Sequence, residues 1–315
     1  MHPALSIIFF TTASGAGFAL IILLGLAVPV GLLPANAGFG SVAMAIALLL
    51  AAGGLASSTF HLGRPERAWR AFSQWRSSWL SREGVFSVLT FPLISVFGIG
   101  WVVFGTTAGL VGLCGILAAA LAVATIYCTG MIYASLKPIH QWCNSWVVPN
   151  YFALGLMSGL LILHLLVRLW QPRAPGVAVV AMIAILAAWR LKEGYWRTID
   201  TTSSPATMAT ATLLGHRGKV RLFEAPHTEE NYLLKEMGFR IARKHRVRLR
   251  RLVRLAGFGL PFLLSLVALL LGGVIGVIAA SLAVLSAALG LVIERWLFFA
   301  EARHTVMLYY GAEGV

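Results

Sequence analysis

His61 and Glu83 bracket the densest polar stretch of the chain. Residues 61–83 hold five arginines, three tryptophans, one histidine and two glutamates, in a protein of which only 11% is charged. Long apolar runs stand on both sides. An imidazole and a carboxylate beside apolar helices at a membrane surface form an acid–base pair suited to exchanging protons with a lipid-soluble redox molecule. A quinone needs hydrogen-bond partners for its carbonyl oxygens, a route for two protons and an apolar slot for its tail. Taken singly, each residue also has a plainer reading. His61 snorkels to the headgroups, and Glu83 complements a helix N-terminus behind Ser81 as cap. The sequence leaves both open.

The elements that must position these groups are membrane spans. The chain is 59% hydrophobic with a mean hydropathy of +0.84. Apolar runs of span length recur, and hydrocarbon satisfies no backbone polar group, so the runs are read as helices. Period-two alternation of the barrel kind is absent. The fold class expected is an all-α polytopic membrane protein, a single domain over 1–315. Its eight transmembrane helices lie near 4–31, 38–60, 84–104, 108–135, 146–170, 174–190, 254–274 and 276–293. A weak Gly-Gly break separates the last two, so their merger stays open. Ala35-Asn36-Ala37 resembles a signal-peptide cleavage site. However, no Lys or Arg precedes the first run and the run is too long, so it is read as the first helix.

The net charge of +14 would ordinarily suggest nucleic acid. Here the positive-inside rule accounts for it. Eight spans place both termini, the 61–83 loop, the 136–145 loop and the long 191–253 loop on one side. That side carries all 25 Lys and Arg except Arg168 and Arg173. It is read as cytoplasmic, in a bacterial inner membrane, with no nucleic-acid partner. Cys114, Cys128 and Cys143 form no C-x-x-C pair and are too few for a structural zinc or iron–sulfur site. His164 is the one His well inside a span, near the outer side. It lacks a facing partner, so no haem or metal is expected.

The inner ends of the spans gather polar groups at one depth: Thr11, Thr12 and Ser14; His61 and Arg64; Arg82 and Glu83; Tyr133, Lys137 and His140; Asn150 and Tyr151; Glu294 and Arg295. Thr125, Thr129 and Tyr133 recur at i, i+4, i+8 on one helix face, which suits either interhelical hydrogen bonding or a pocket wall. No acidic residue lies well inside any expected span. From Asn231 a basic amphipathic pattern begins, with Leu233, Met237 and Ile241 at helical spacing. It suits anionic lipid headgroups or a soluble partner.

His61-Leu-Gly-Arg-Pro-Glu66, the Trp-rich sequence after it, Ser81-Arg-Glu83 and Asn150-Tyr-Phe-Ala-Leu-Gly155 resemble the DmsC family. These are eight-helix membrane anchors of dimethyl sulfoxide reductases and related molybdenum enzymes, with NrfD-like relatives. The resemblance implies two partner subunits. One is a molybdopterin catalytic subunit and the other a ferredoxin-like subunit with [4Fe–4S] clusters. It also implies quinol binding at His61 and Glu83, and no haem in the anchor. The long 191–253 loop is more similar to anchors of quinone-dependent sulfite dehydrogenases. Together with the depth argument, the expected quinone site (ubiquinone or menaquinone) comprises His61, Glu83, Arg64, Tyr133 and Thr12. The expected docking residues are Arg67, Arg70, Arg76, Lys137 and His140. Quinone reduction coupled to sulfite oxidation is favoured over menaquinol oxidation coupled to sulfoxide reduction. A transporter and a purely structural tether are the rival readings.

Overall fold

The computed structural model describes residues 4–61, 64–171, 175–224 and 241–312, without the side chains of His61 and residues 241–244. Arg173 and the start of the basic stretch, 231–240, lie outside the described residues. Among the described residues there are eight helices long and apolar enough to cross a membrane. They are α1 (Leu5–Ala27), α2 (Ala37–Ser57), α3 (Trp79–Val102), α4 (Gly109–Ala134), α5 (Val147–Trp170), α6 (Pro175–Thr201), α7 (His245–Leu270) and α8 (Gly273–Ala300). No strand occurs among the described residues. All eight expected spans are present, and Leu271-Gly272-Gly273, with Gly273 at φ +58, keeps α7 and α8 apart.

Helix α1 is apolar all round and is the core of the bundle. It packs against α2, α4, α5 and α8. Small residues set these approaches, as expected where lipid supplies no hydrophobic drive between helices. A Cβ added at Gly17 would fall 2.8 Å from the Ala51 Cα, and one at Gly54 would fall 2.9 Å from the Ser14 Cα. At the outer end, the Trp101 indole donates to the Ala35 carbonyl (2.9 Å), and Phe39 packs between Trp101 and Trp170.

Three details differ from the sequence reading. First, Arg168, which the sequence places among the outer-side charges, turns into the bundle. It is buried and donates to the Leu271 carbonyl at 2.9 Å, satisfying a backbone acceptor that the end of α7 leaves free. Second, residues 191–201, read as loop, continue α6, and α7 begins well before 254. Charged residues can stay helical there because they pair: Arg254 with Glu193 (2.6 Å) and Arg250 with Asp200 (2.6 Å). Third, α7 contains a π-helical turn, Val253–Gly259, just ahead of Pro261. Proline has no N–H to donate, and a wider turn accommodates that loss.

The polar end of the bundle is closed by the C-terminal segment. Thr305 N–H donates to the Pro138 carbonyl (3.0 Å), Arg303 N–H to Gln141 Oε1 (3.0 Å), and the Trp142 indole to the Phe298 carbonyl (2.9 Å).

Candidate functional site

Ser78, rather than Ser81, caps α3, accepting from the Ser81 N–H. Ser81 is thereby free to donate its hydroxyl to the Ala71 carbonyl. Arg82 donates to the Trp75 and Arg76 carbonyls at 3.0 and 2.5 Å and lies over the Trp79 ring. These bonds hold the 3-10 segment Pro65–Gln74 over the start of α3. Phe72 then covers Gly84, where a Cβ would fall 3.1 Å from the ring.

Beneath this segment lies a cleft of about 540 Å³ between the polar-side ends of α1, α2, α3 and α4. Ile7, Phe10, Leu55, Phe72, Leu80 and Ile132 supply apolar wall. Its polar groups are Ser58, Thr59, Arg64, Arg67, Glu83 and Tyr133. Glu83 is 3% exposed and accepts a hydrogen bond from the Thr129 hydroxyl of α4. Among the described residues it forms no ion pair. An N-terminal charge complement would need no such burial. Tyr133 stacks on Tyr151 and meets Trp142, Phe298 and Phe299 edge-on.

Behind Thr129 is a second polar layer that sequence reasoning did not foresee. Thr129 lines a gap of about 20 Å³ together with Thr11, Thr12, Ser14, Ser158 and Arg295, room for one water molecule. Arg295 lies 4.0 Å over the Tyr151 ring and 3.5 Å from Glu294. The other Glu294 oxygen pairs with Lys192 of α6. All three charged groups are buried. Sequence alone sets Glu294 just past the end of the last apolar run, at 293, whereas the structure carries it inside α8, six residues before the helix ends. The reason is that α6 and α8 both run past the apolar segments that sequence alone delimits, and the charges answer each other across the interface.

The DMSO reductase anchor subunit (DmsC) family model matches residues 1–311. The chain belongs to this family. It is similar to the C-subunit of the sulfite dehydrogenase of Allochromatium vinosum, with 33% identity over 98% of this chain and 99% of that protein. It is also similar to the C-subunit of the anaerobic dimethyl sulfoxide reductase of Escherichia coli, with 28% identity over 58% of this chain and 64% of that protein. It is thus a helical membrane anchor subunit of the dimethyl sulfoxide reductase and sulfite dehydrogenase type of complex.

In this DmsC-family anchor, Arg64, Glu83 and Tyr133 meet in the cleft. The backbone of His61 ends the 3-10 turn Ser58–His61, and its side chain lies outside the described residues. Thr12 does not reach the cleft. It lines the water-sized gap and bonds the carbonyls of Ile8 and Phe9 in its own helix. Arg67 reaches the cleft wall beside Glu66. Arg70 and Arg76 are exposed, each over a neighbouring indole, Trp69 and Trp75. Lys137 is exposed, and His140 contacts the Thr202 hydroxyl at 2.9 Å. Thr129, the direct partner of Glu83, was visible in sequence only as a member of the Thr125–Thr129–Tyr133 face. Among the described residues no group of three or more His, Cys, Asp or Glu side chains could hold a metal ion.

Proposed function

We propose that the cleft binds a quinone and that the protein passes electrons between the quinone pool and a docked iron–sulfur subunit of a molybdopterin oxidoreductase. The observation that carries this reading is Glu83: a buried carboxyl held by Thr129 at the polar wall of an otherwise apolar cleft. The residues suit the group. Glu83 and Tyr133 offer hydrogen-bond partners to a ring carbonyl, and Ile7, Phe10 and Leu55 offer a surface to an isoprenoid tail. A bound quinone supplies two-electron, two-proton chemistry. Glu83 holds a proton beside the ring oxygen, and His61 is its expected acid–base counterpart. Arg64 and Arg67 fix the rim.

The charge asymmetry supports a reading in which the termini and the cleft mouth face the cytoplasm across a bacterial inner membrane. Arg70, Arg76, Trp69 and Trp75 stand exposed beside that mouth and suit docking of the iron–sulfur subunit. The likeness to a sulfite dehydrogenase subunit over nearly the whole chain favours sulfite oxidation with quinone reduction. The alternative, menaquinol oxidation for sulfoxide reduction, draws on the shorter likeness to the dimethyl sulfoxide reductase subunit.

The test is to purify the intact complex with Glu83→Gln. Assembly and dye-linked activity of the soluble subunits should persist while quinone-linked turnover is lost. Unchanged quinone kinetics would defeat the assignment. Assays with sulfite plus quinone and with dimethyl sulfoxide plus quinol decide the substrate.

A further inference from the structure

Lys192, Trp196 and Asp200 fall at i, i+4 and i+8 along one face of α6. On α8 and its C-cap, Glu294, Phe298 and Glu301 repeat at four and three residues, again one face. The two faces meet: Lys192 pairs with Glu294, and its ammonium lies over the rings of Tyr195 (4.0 Å), Trp196 (5.4 Å) and Phe298 (5.8 Å). Glu301 lies seven residues from Glu294, about 10 Å nearer the polar end. It pairs with Arg250 of α7 (2.9 Å), which also holds Asp200. Asp200, with a side chain 38% exposed, opens into a polar surface cavity of about 350 Å³ that also includes His140 and Arg303. Arg254, paired with Glu193, flanks Trp196 at 5.2 Å. At the other end the line reaches Arg295, the water-sized gap and the hydroxyl of Thr129 on Glu83.

This arrangement is hard to explain as packing. Breaking even with apolar residues is the best that buried ion pairs usually achieve. Here two cations, Lys192 and Arg295, share the single carboxylate of Glu294 inside the bundle. In addition, Tyr195 OH, Trp196 Nε1 and one Glu301 oxygen, on the residues that surround Lys192 and Arg250, are buried without a hydrogen-bond partner. Polar atoms spaced along an interface in this way suit bridging by water.

We propose that this line is a proton conduit joining the Glu83 cleft to the aqueous surface at Asp200 and Glu301, separate from the cleft mouth. Each quinone reduced takes two electrons from the docked iron–sulfur subunit and two protons from water at this surface. Each proton passes from the Glu301 carboxyl through bridging water to Lys192 and on to Glu294, past Arg295 into the water-sized gap that Arg295 and Thr129 line, through the Thr129 hydroxyl onto Glu83, and from there to a ring oxygen. Oxidation of quinol runs the same steps backwards. Arg295 stays protonated throughout and positions Glu294.

The proposal rests on the quinone reading of the cleft, so its test separates the two. The intact complex is purified with Glu294→Gln, with Lys192→Met/Glu294→Gln, which removes both charges together, with Glu301→Gln at the surface end, and with Glu83→Gln. Subunit stoichiometry and dye-linked activity report assembly. Decylubiquinone turnover, its solvent deuterium isotope effect and the redox-induced infrared difference spectrum report the conduit. Expected in the relay variants are turnover lower by about tenfold or more, a larger isotope effect, decylubiquinone binding within about twofold of the parent, and loss of a carboxyl band in the Glu294 variants. Turnover and isotope effect equal to the parent in any assembled relay variant overturn the conduit. If Glu83→Gln alone abolishes turnover, the cleft reading survives and the conduit does not. If Glu83→Gln is also silent, both fall.

Discussion

The hydroxyl of Thr129 in α4 donates to the carboxyl of Glu83 in α3, and this bond separates two differently sized spaces. On the Glu83 side is the broad, mostly apolar cleft, and on the Thr129 side the narrow polar gap. One side chain each from two helices therefore decides what the interior presents to a lipid-soluble ligand.

Thr129→Val preserves shape and removes the donor. A hydrogen bond to a carboxyl group of this kind contributes on the order of 1.5 kcal/mol. Quinone-linked kcat/KM should drop by about tenfold, with the complex fully assembled. Steady-state kinetics on the purified complex, alongside dye-linked activity, gives the answer. Kinetics equal to the parent would show that the bond does not shape the site.

Glu294→Gln alone should destabilise the membrane subunit far more than Lys192→Met alone. Losing the carboxylate leaves the buried Lys192 and Arg295 charges uncompensated, at about 3–5 kcal/mol. Losing the ammonium leaves Glu294 paired with Arg295. Thermal unfolding in detergent, compared between the two variants, checks this. Equal losses would mean that Glu294 does not hold the two cations.

Gly54→Val should prevent α1 and α2 from meeting. Its added Cβ would lie 2.9 Å from both the Cα and Cβ of Ser14, and backbone at such a contact has nowhere to go. Gly53→Ala, one residue away with open space around it, should be silent. Monodispersity on size-exclusion chromatography distinguishes the two. Equal behaviour would refute the packing.

Burial holds His304 below its ordinary value of 6.5, and its Nδ1 accepts the Val306 N–H at 3.0 Å. The unfolded segment takes up a proton first as pH falls. The histidine's contribution is therefore complete above about pH 6.5 and is lost as pH falls through the depressed value. Amide exchange over residues 304–312 should speed up between pH 7 and pH 5 after correction for intrinsic rates. A His304→Asn variant should lack that change, and identical pH responses would count against it.

The spans were legible in the sequence because hydrocarbon leaves an apolar run little choice but a helix. Where charge interrupts the run, that logic stops early, as at Lys192 and Glu193, which α6 carries inside the helix because partners wait on α7 and α8. For the site, Glu83 and Tyr133 could be placed at one depth from span ends alone. The i, i+4, i+8 face of α4 hinted at Thr129 without naming its partner. The stacking of Arg295 on Tyr151 joins residues far apart in sequence, and no local pattern encodes it. Thr12 was misplaced for a simpler reason. Depth along α1 follows from the span end, but a helix apolar all round has no stripe to reveal azimuth.

The π-helical turn of α7 sets the phase of everything that follows it toward the water. Shortening it by a single residue would restore regular winding and rotate the polar extension by about 100°. Arg250 and Arg254 would swing off Asp200, Glu301 and Glu193, so one wide turn, made next to a proline, keeps three acids neutralised at the rim of the bundle.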